Sequence, residues 1–363
     1  MQALSKISLV GIVIVALCAA SVADSVLTKE RTVTKLAEGV YEIRHPDAPD
    51  TFPQGNTTVI IGDRDVLVVD SCYLPSAARE DIAQIHQWTD KPVRYLLNTH
   101  WHYDHTMGNR AYADAFPNIT IIAQADTRAE MEGYNPGWFA RYPGRAQKFQ
   151  QRLDDGKDAD GKPLTDGDRR DLKQAIAGVA VVLEEYKKLV DRLPDATFEH
   201  ELDLDLGNRP VQIQHLGRGN TRGDAIVYLP KEKILVAGDL LDHPVPYLGG
   251  GYPFELITTL KKIGELDVQT IVPGHGDVMH DKAYLNQVIA LVEAVTSEVS
   301  RQIYIIGNGS RNLDPVTKAV KEKIDIVSWR QKFAGDDKDN QDFFDGFSLN
   351  GLITAAYAEV WGR

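Results

Sequence analysis

Four metal-ligating residues fall within six positions in the run Asn98-Thr99-His100-Trp101-His102-Tyr103-Asp104-His105. Only 10 of the 363 residues are histidine, so three at these offsets set the segment apart. Neutral imidazole is a borderline-soft ligand that suits zinc, and the Asp104 carboxylate can hold a second ion or a metal-bound water. A His-rich surface turn is the plainer reading. Against it stands the preceding run Val93-Arg94-Tyr95-Leu96-Leu97, whose β-branched, aromatic and apolar content predicts a buried strand that delivers the ligands onto a loop. No other catalytic device competes. The chain has no Gly-x-Ser-x-Gly turn. Gly249-Gly250-Gly251 lacks the Lys-Ser/Thr of a phosphate loop and reads as a flexible turn.

The elements that must hold this loop follow from the hydrophobic pattern. Short strands are expected at Val40-Tyr41-Glu42-Ile43, at Thr57 to Ile61 and at Val66 to Asp70, with Gly62-Asp63-Arg64-Asp65 as a hairpin turn between the last two. Ala77 to Trp88 has the pattern of an amphipathic helix, and Ile119 to Ala123 that of another strand. A second strand set begins near Phe198, with Leu202, Leu204 and Leu206 alternating, then Val211 to His215, Ala225 to Leu229 and Ile234 to Ala237. Strands and helices interleaved in two halves fit an α/β fold of αββα sandwich type, two sheets face to face with helices outside. Between the halves lies a helical insertion at about 126–194. It opens with Trp138, Phe139, Tyr142 and Phe149 and crosses a polar stretch from Asp154 to Asp168. It closes on a helix whose Leu172, Ile176, Val179, Leu183, Tyr186, Val190 and Leu193 run at alternating four- and three-residue steps to Pro194. A hairpin packed on its own domain is the first reading of that stripe, and a homodimer seam the second. A C-terminal helical region at about 280–363, including Tyr284 to Ile306 and Leu349 to Trp361, is expected to cover a sheet face.

Residues 1–23 read as a signal peptide. Lys6 gives a positive start, Ile7 to Ala20 is nearly all apolar, and Ser21-Val22-Ala23 offers small residues for cleavage. A short uncleaved anchor is the alternative; cleavage implies an exported, periplasmic or secreted protein of residues 24–363 with no stable membrane insertion. Removing that segment deletes one lysine and no carboxylate, so the formal net charge goes from −12 to −13. It also removes Cys18 and leaves Cys72 as a single thiol, so stability must come from a core and any metals. The acidic balance argues against nucleic acid or an anionic membrane as partner.

With these residues in view the chain resembles the metallo-β-lactamase superfamily. That family carries His-x-His-x-Asp-His after an apolar strand, then a His in Gly-His-Thr-x-Gly-Asp, an Asp or Cys ending an apolar strand, and a His in Pro-Gly-His. Here stand Gly219-Asn220-Thr221-Arg222-Gly223-Asp224, Leu235-Val236-Ala237-Gly238-Asp239 and Val272-Pro273-Gly274-His275-Gly276. The match runs from about Val40 to Val278. It departs from the pattern at Asn220, where the family usually has a histidine.

The resemblance implies a metallo-β-lactamase sandwich in which His100, His102 and Asn220 face one metal and Asp104, His105 and His275 the other, with Asp239 as a bridge. Two close ions can hold a hydroxide and polarise a scissile bond, and Asp104 would orient that water and accept its proton. An amide oxygen is a poorer zinc ligand than imidazole. Asn220 therefore leaves three arrangements open: an unequal zinc pair, a single ion on the second side, or a harder ion such as manganese. Asp70, ending Leu67-Val68-Val69-Asp70, is expected to buttress ligand histidines. His215 and His243 read as structural, although His243 could supply the missing imidazole. Trp101, Tyr103, Tyr247, Tyr252 and Phe254 are candidates for a pocket mouth or for ordinary core. The implied activity is hydrolysis of a small molecule at a carbonyl-centred bond (ester, lactone, amide or β-lactam). The alternatives are a phosphodiesterase or sulfatase-like hydrolase, and a zinc-binding protein without activity. No Lys follows Asp239 closely to pair with a β-lactam carboxylate; Arg218 and Arg222 flank Asn220 and are the available cations for any anionic substrate.

Overall fold

The computed structural model describes residues 30–157, 161, 163–306 and 313–362, so the expected signal peptide lies outside the described residues. One sheet runs in chain order: β1 (Thr32–Ala37), β2 (Val40–Arg44), β3 (Thr57–Ile61), β4 (Val66–Val69), β5 (Val93–Asn98), β6 (Thr120–Gln124) and β7 (Ala196–Phe198). The other runs β12 (Thr270–Pro273), β11 (Ile234–Gly238), β10 (Ile226–Leu229), β9 (Pro210–Gln214) and β8 (Glu201–Asp205). Neighbours joined by tight turns pair antiparallel, as where Ile61 opposes Val66 across the expected Gly62–Asp65 turn. Neighbours joined through helices pair parallel: β4 with β5, β5 with β6, β6 with β7, and β11 with β12.

The alternation along each strand shows why the sheets stack. Leu67 and Val69 of β4, Leu97 of β5, Ile122 of β6, Val227 of β10 and Val236 of β11 meet in one apolar cluster between the sheets. Their neighbours Val66, Val68, Leu96 and Ile121 turn the other way, into a second cluster with helix α1 (Pro75–Trp88). Ile226, Leu235, Ala237 and Ile271 face a third, on the far side. A period of two with both faces buried specifies strands covered by helices on each side. The expected αββα sandwich is what forms.

Short helices α2 (Tyr103–Thr106) and α3 (Asn109–Ala115) follow β5. The insertion between β6 and β7 comprises α4 (Ala125–Arg141), α5 (Arg145–Asp155) and α6 (Asp166–Tyr186). Val179, Val182 and Tyr186 of α6 are buried in the cluster beneath α1, so its apolar stripe is covered by its own chain. Helix α7 (Pro253–Glu265) carries the chain from β11 to β12. Beyond β12, α8 (Ala283–Ile306), α9 (Leu313–Lys323), α10 (Ile326–Ala334), α11 (Lys338–Phe343), a π-helical turn (Phe344–Asn350) and α12 (Gly351–Val360) close over the second sheet. Leu285, Val292, Phe333, Phe344 and Leu352 join its cluster, as expected of that region.

One expectation needs correction, and one strand was not expected at all. Helix α6 ends at Tyr186 and not near Pro194, and Val190 is 60% exposed. Tertiary bonds pull the chain off the helix axis there: the Asn135 amide donates to Asp191 at 3.0 Å, Asn109 donates to the Arg192 carbonyl at 3.0 Å, and Asp195 N–H donates to the Ile121 carbonyl at 2.7 Å to start β7. Strand β1 also had no strong signal, because most of its side chains are exposed at a sheet edge. Among the described residues no helix is long and apolar enough to cross a membrane.

Candidate metal centre

The parallel pairs decide where the chemistry sits. Asp70 follows β4, His100 follows β5, Asp239 follows β11 and the Gly274-His275 pair follows β12. All four therefore leave their sheets at carboxyl ends of parallel strands, where diverging loops open a crevice. Register brings them together. Val69 pairs with Leu97, which puts Asp70 beside Thr99, and Gly238 pairs with Pro273, which puts Asp239 beside Gly274. A Cβ at Gly274 would come within 1.9 Å of Asp239 Oδ1, so only glycine permits that approach. The Asn220 loop is tied across the sheets by Ala225 N–H donating to the Thr99 carbonyl at 2.8 Å. Asp224 holds it folded, accepting from Thr221 N–H at 2.9 Å and from the Thr221 hydroxyl at 2.7 Å.

Two groups of donor atoms converge on one carboxylate. Asp239 Oδ2 lies 3.3 Å from His100 Nε2 and 3.8 Å from His102 Nδ1, while Oδ1 lies 3.0 Å from His105 Nε2. His105 Nε2 is 3.2 Å from His275 Nε2, and His275 Nε2 is 3.0 Å from Asp104 Oδ2. The structure thus groups His100, His102 and Asp239 on one side and Asp104, His105 and His275 on the other. Asn220 stands beside the first group, its Nδ2 3.5 Å from His102 Nδ1. Behind these donor atoms lies Asp70. Oδ2 accepts from His105 Nδ1–H at 2.9 Å and from the Thr99 hydroxyl at 2.7 Å, and that hydroxyl accepts in turn from His100 Nδ1–H at 3.0 Å. Both imidazoles are thereby turned with Nε2 toward Asp239.

The electrostatics ask for cations. Burial pushes the His100 imidazole below its ordinary pKa. Burial acts on His105 the same way, yet Asp239, Asp104 and Asp70 together outweigh it and hold His105 well above the usual range. Burial opposes ionisation of Asp239 too, but His105, His100 and His275 keep its carboxyl well below the carboxylate range. His275 is raised to about 9 against burial, chiefly by Asp239 and Asp104. His100 Nε2 and Asp239 Oδ1 are buried with no hydrogen-bond partner of good geometry. Buried polar atoms without partners are costly, and a divalent ion would satisfy both. The donor set of imidazoles and carboxylates is one that zinc accepts.

The profile of the metallo-beta-lactamase superfamily matches residues 50–275. The chain belongs to that superfamily. The linear primary-alkylsulfatase of Pseudomonas sp. (strain ATCC 19151) is 20% identical over 273 residues, 70% of this chain and 48% of its own length. The metallo-beta-lactamase type 2 of Bacteroides fragilis is 28% identical over 109 residues, 27% of this chain and 44% of its own. The chain thus spans about half the length, or less, of these curated relatives. Among solved structures, TMB-1 superposes with a TM-score of 0.51 at 16% identity, covering 72% of this chain and 97% of its own. FIM-1 from Pseudomonas aeruginosa, in a mono-zinc form, gives 0.51 at 16% identity over 73% and 96%. These two establish the likeness of fold.

Against this superfamily frame the remaining candidates sort clearly. Arg218 is clamped by the Glu255 carboxylate and lies 4.3 Å over the Tyr252 ring, and Arg222 donates to Asp126 at 2.6 Å. Both arginines flanking Asn220 are therefore already paired. Tyr103 is core, stacked on Trp138 at 4.2 Å, and Phe254 packs on the cluster under the C-terminal helices. Trp101 does border the site, with its ring 4.6 Å from the His102 ring and 4.5 Å from that of Tyr134. Tyr247 borders the other side. Burial, with Asp104 and Asp239 nearby, pushes its phenol up to about 12. His215 donates to the Asp224 carbonyl at 2.8 Å and is structural. His243 does not supply the missing imidazole: its ring packs on Tyr284 at 4.9 Å, and its backbone N–H donates to the His275 carbonyl at 3.0 Å. The cavity of about 330 Å³ that His243 lines with Met279, Tyr284, Lys332 and Phe333 has none of the ligand side chains in its wall.

Two features escaped sequence reasoning. Asp242 is buried within ligand distance of Asp239 and His275, but a lone Asp in Leu-Leu-Asp-His-Pro has no spacing signal. A second buried network lies behind the centre. His45 bonds the Gly55 carbonyl at 2.8 Å and Asp81 at 2.8 Å, and Arg31 donates to Asp81 at 2.9 Å. Gly55 in turn donates to the Asp104 carbonyl at 3.1 Å and lies so close to the His105 ring that a Cβ would come within 2.4 Å.

Proposed function

We propose that this chain is a zinc-class metal-dependent hydrolase that cleaves a carbonyl-centred bond in an uncharged or weakly charged small molecule. The observation that carries the reading is the convergence of two donor groups on the single Asp239 carboxylate. His100, His102, Asn220 and Asp239 would hold one ion, and Asp104, His105, His275 and Asp239 the other. Bound ions of this class make water nucleophilic near neutral pH and polarise a scissile carbonyl. The chain's residues supply the rest. Asp70 and Thr99 fix the imidazoles, and the Asp104 carboxylate, held ionised at about 2, can accept a proton at Oδ2. Trp101 and Tyr134 offer an apolar flank beside His102.

Arg218 and Arg222 are each already matched by a carboxylate, Glu255 and Asp126, which supports a substrate without a strong anionic group. That pairing weighs against the β-lactam carboxylate as much as against a phosphodiester. One observation supports a second reading: the match to an alkylsulfatase extends over 70% of this chain, which supports sulfate-ester cleavage at the same centre. Export of residues 24–363 is part of the proposal and is supported by the pattern of residues 1–23.

A panel of aryl ester, lactone, chromogenic cephalosporin, bis-aryl phosphate and alkyl sulfate, each with and without chelator, separates these readings. The expected result is chelator-sensitive turnover of an ester or lactone. Turnover of the alkyl sulfate alone would replace the carbonyl reading with the sulfatase one. Metal binding with no turnover across the panel would favour a binding protein.

A further inference from the structure

Asp242 sits three residues beyond Asp239, on the turn that leaves β11, and is 4% exposed. One of its carboxylate oxygens lies within 4.8 Å of ligand atoms of both Asp239 and His275. Neither oxygen has a hydrogen-bond partner of good geometry. Other buried carboxylates around the centre are engaged: Asp70 by Thr99 and His105, and Asp224 by Thr221. A buried carboxylate without a partner is expensive, and the usual remedy is a cation or a donor. The Tyr284 hydroxyl donates to the Asp242 backbone carbonyl and not to its side chain, and the Tyr247 backbone amide is the one donor that approaches the carboxyl.

We propose that Asp242 is a further metal ligand on the His275 side of the centre. The inference rests on the metal-centre reading above. It makes the two sides chemically different. Asp239, Asp242 and His275 form one group of donors beside that of Asp104, His105 and His275, so the second side gains a carboxylate. The first side presents two imidazoles, one amide and a share of Asp239. Carboxylate oxygens suit manganese-class ions and imidazoles suit zinc. The His275 side therefore accepts a harder ion of higher coordination number, and the His102 side keeps zinc.

Asp242→Asn tests this, because an amide fills the same volume and removes the anionic oxygen. Metal-free protein is titrated with Zn2+ and Mn2+ separately, with binding read by calorimetry and elemental analysis. The expected result is manganese binding weakened by at least about 10-fold, with zinc affinity on the His102 side unchanged. Manganese affinity equal in the variant and the unaltered protein would overturn the inference. If the unaltered protein binds neither ion, the metal-centre reading falls instead, and the two failures stay distinguishable. Should Asp242→Asn not fold, anomalous diffraction from manganese-soaked crystals of the unaltered protein decides. An Asp242 oxygen in the ion's inner shell supports the inference, and an ion bound without it overturns it.

Discussion

His102 and His105 lie three residues apart on one loop and reach opposite oxygens of Asp239, yet they are held very differently. The His105 side chain is fully buried, bonded at Nδ1 to Asp70 and backed by the close approach of Gly55. The His102 side chain is 24% exposed, and its neighbours are the Trp101 ring and the Asn220 amide. The difference teaches which half of the centre is preorganised. His105 is fixed at Nδ1 by Asp70, and of the other side's histidines His100 has a comparable partner in the Thr99 hydroxyl while His102 has none of that kind. Around His102 the geometry rests on the loop and on whatever binds there. An ion on the His105 side should be held more tightly, and the His102 side should adapt more to ligand.

The strongest way to break this contrast is to remove what both halves share. Asp239→Asn should abolish tight binding of both ions and bring turnover to background, read by elemental analysis after dialysis; retention of one ion would mean Asp239 serves a single side. Next in size comes Asp70→Asn. An amide keeps one acceptor oxygen, so its NH2 must face either the Thr99 N–H or the His105 Nδ1–H and Thr99 hydroxyl. Metal affinity on the His105 side should drop about 10- to 100-fold, while zinc on the other side, reached only through the Thr99 hydroxyl, should change less. Equal losses on both sides would erase the distinction. The smallest effect is expected from Asn220→His, which adds an imidazole to the looser half and should tighten zinc there without altering the other ion. Turnover need not rise, because tighter ground-state binding does not by itself lower the barrier. Unchanged zinc affinity in Asn220→His would show that residue 220 does not face the ion.

The same contrast explains what was legible in the sequence. Strands buried on both faces announced themselves, since Val66 to Val69 and Ile234 to Ala237 are apolar at every position. The candidate ligands were legible because they follow such strands at fixed spacings. What could not be read depends on contacts distant in sequence. The end of α6 at Tyr186 is set by Asn135, Asn109 and Ile121, none of which touches the helix periodicity. The pairing of Arg218 with Glu255 and of Arg222 with Asp126 spans 37 and 96 residues, so two cations that looked unpaired in the sequence are each matched by a carboxylate. The burial of Asp242 and the His45–Asp81 network behind Gly55 likewise exist only once the sheets are stacked.

The central claim is that Asp239 joins two metal sites of unequal strength. Graded chelation of zinc-loaded protein, followed by elemental analysis and melting temperature at each step, tests it most directly. About two zinc per chain should be lost in two separated steps, with the larger fall in melting temperature at the second, because a ligand bound only by the folded state stabilises it by an amount that grows with the logarithm of its affinity. Protein that carries no stoichiometric metal and melts at the same temperature with and without zinc would contradict it.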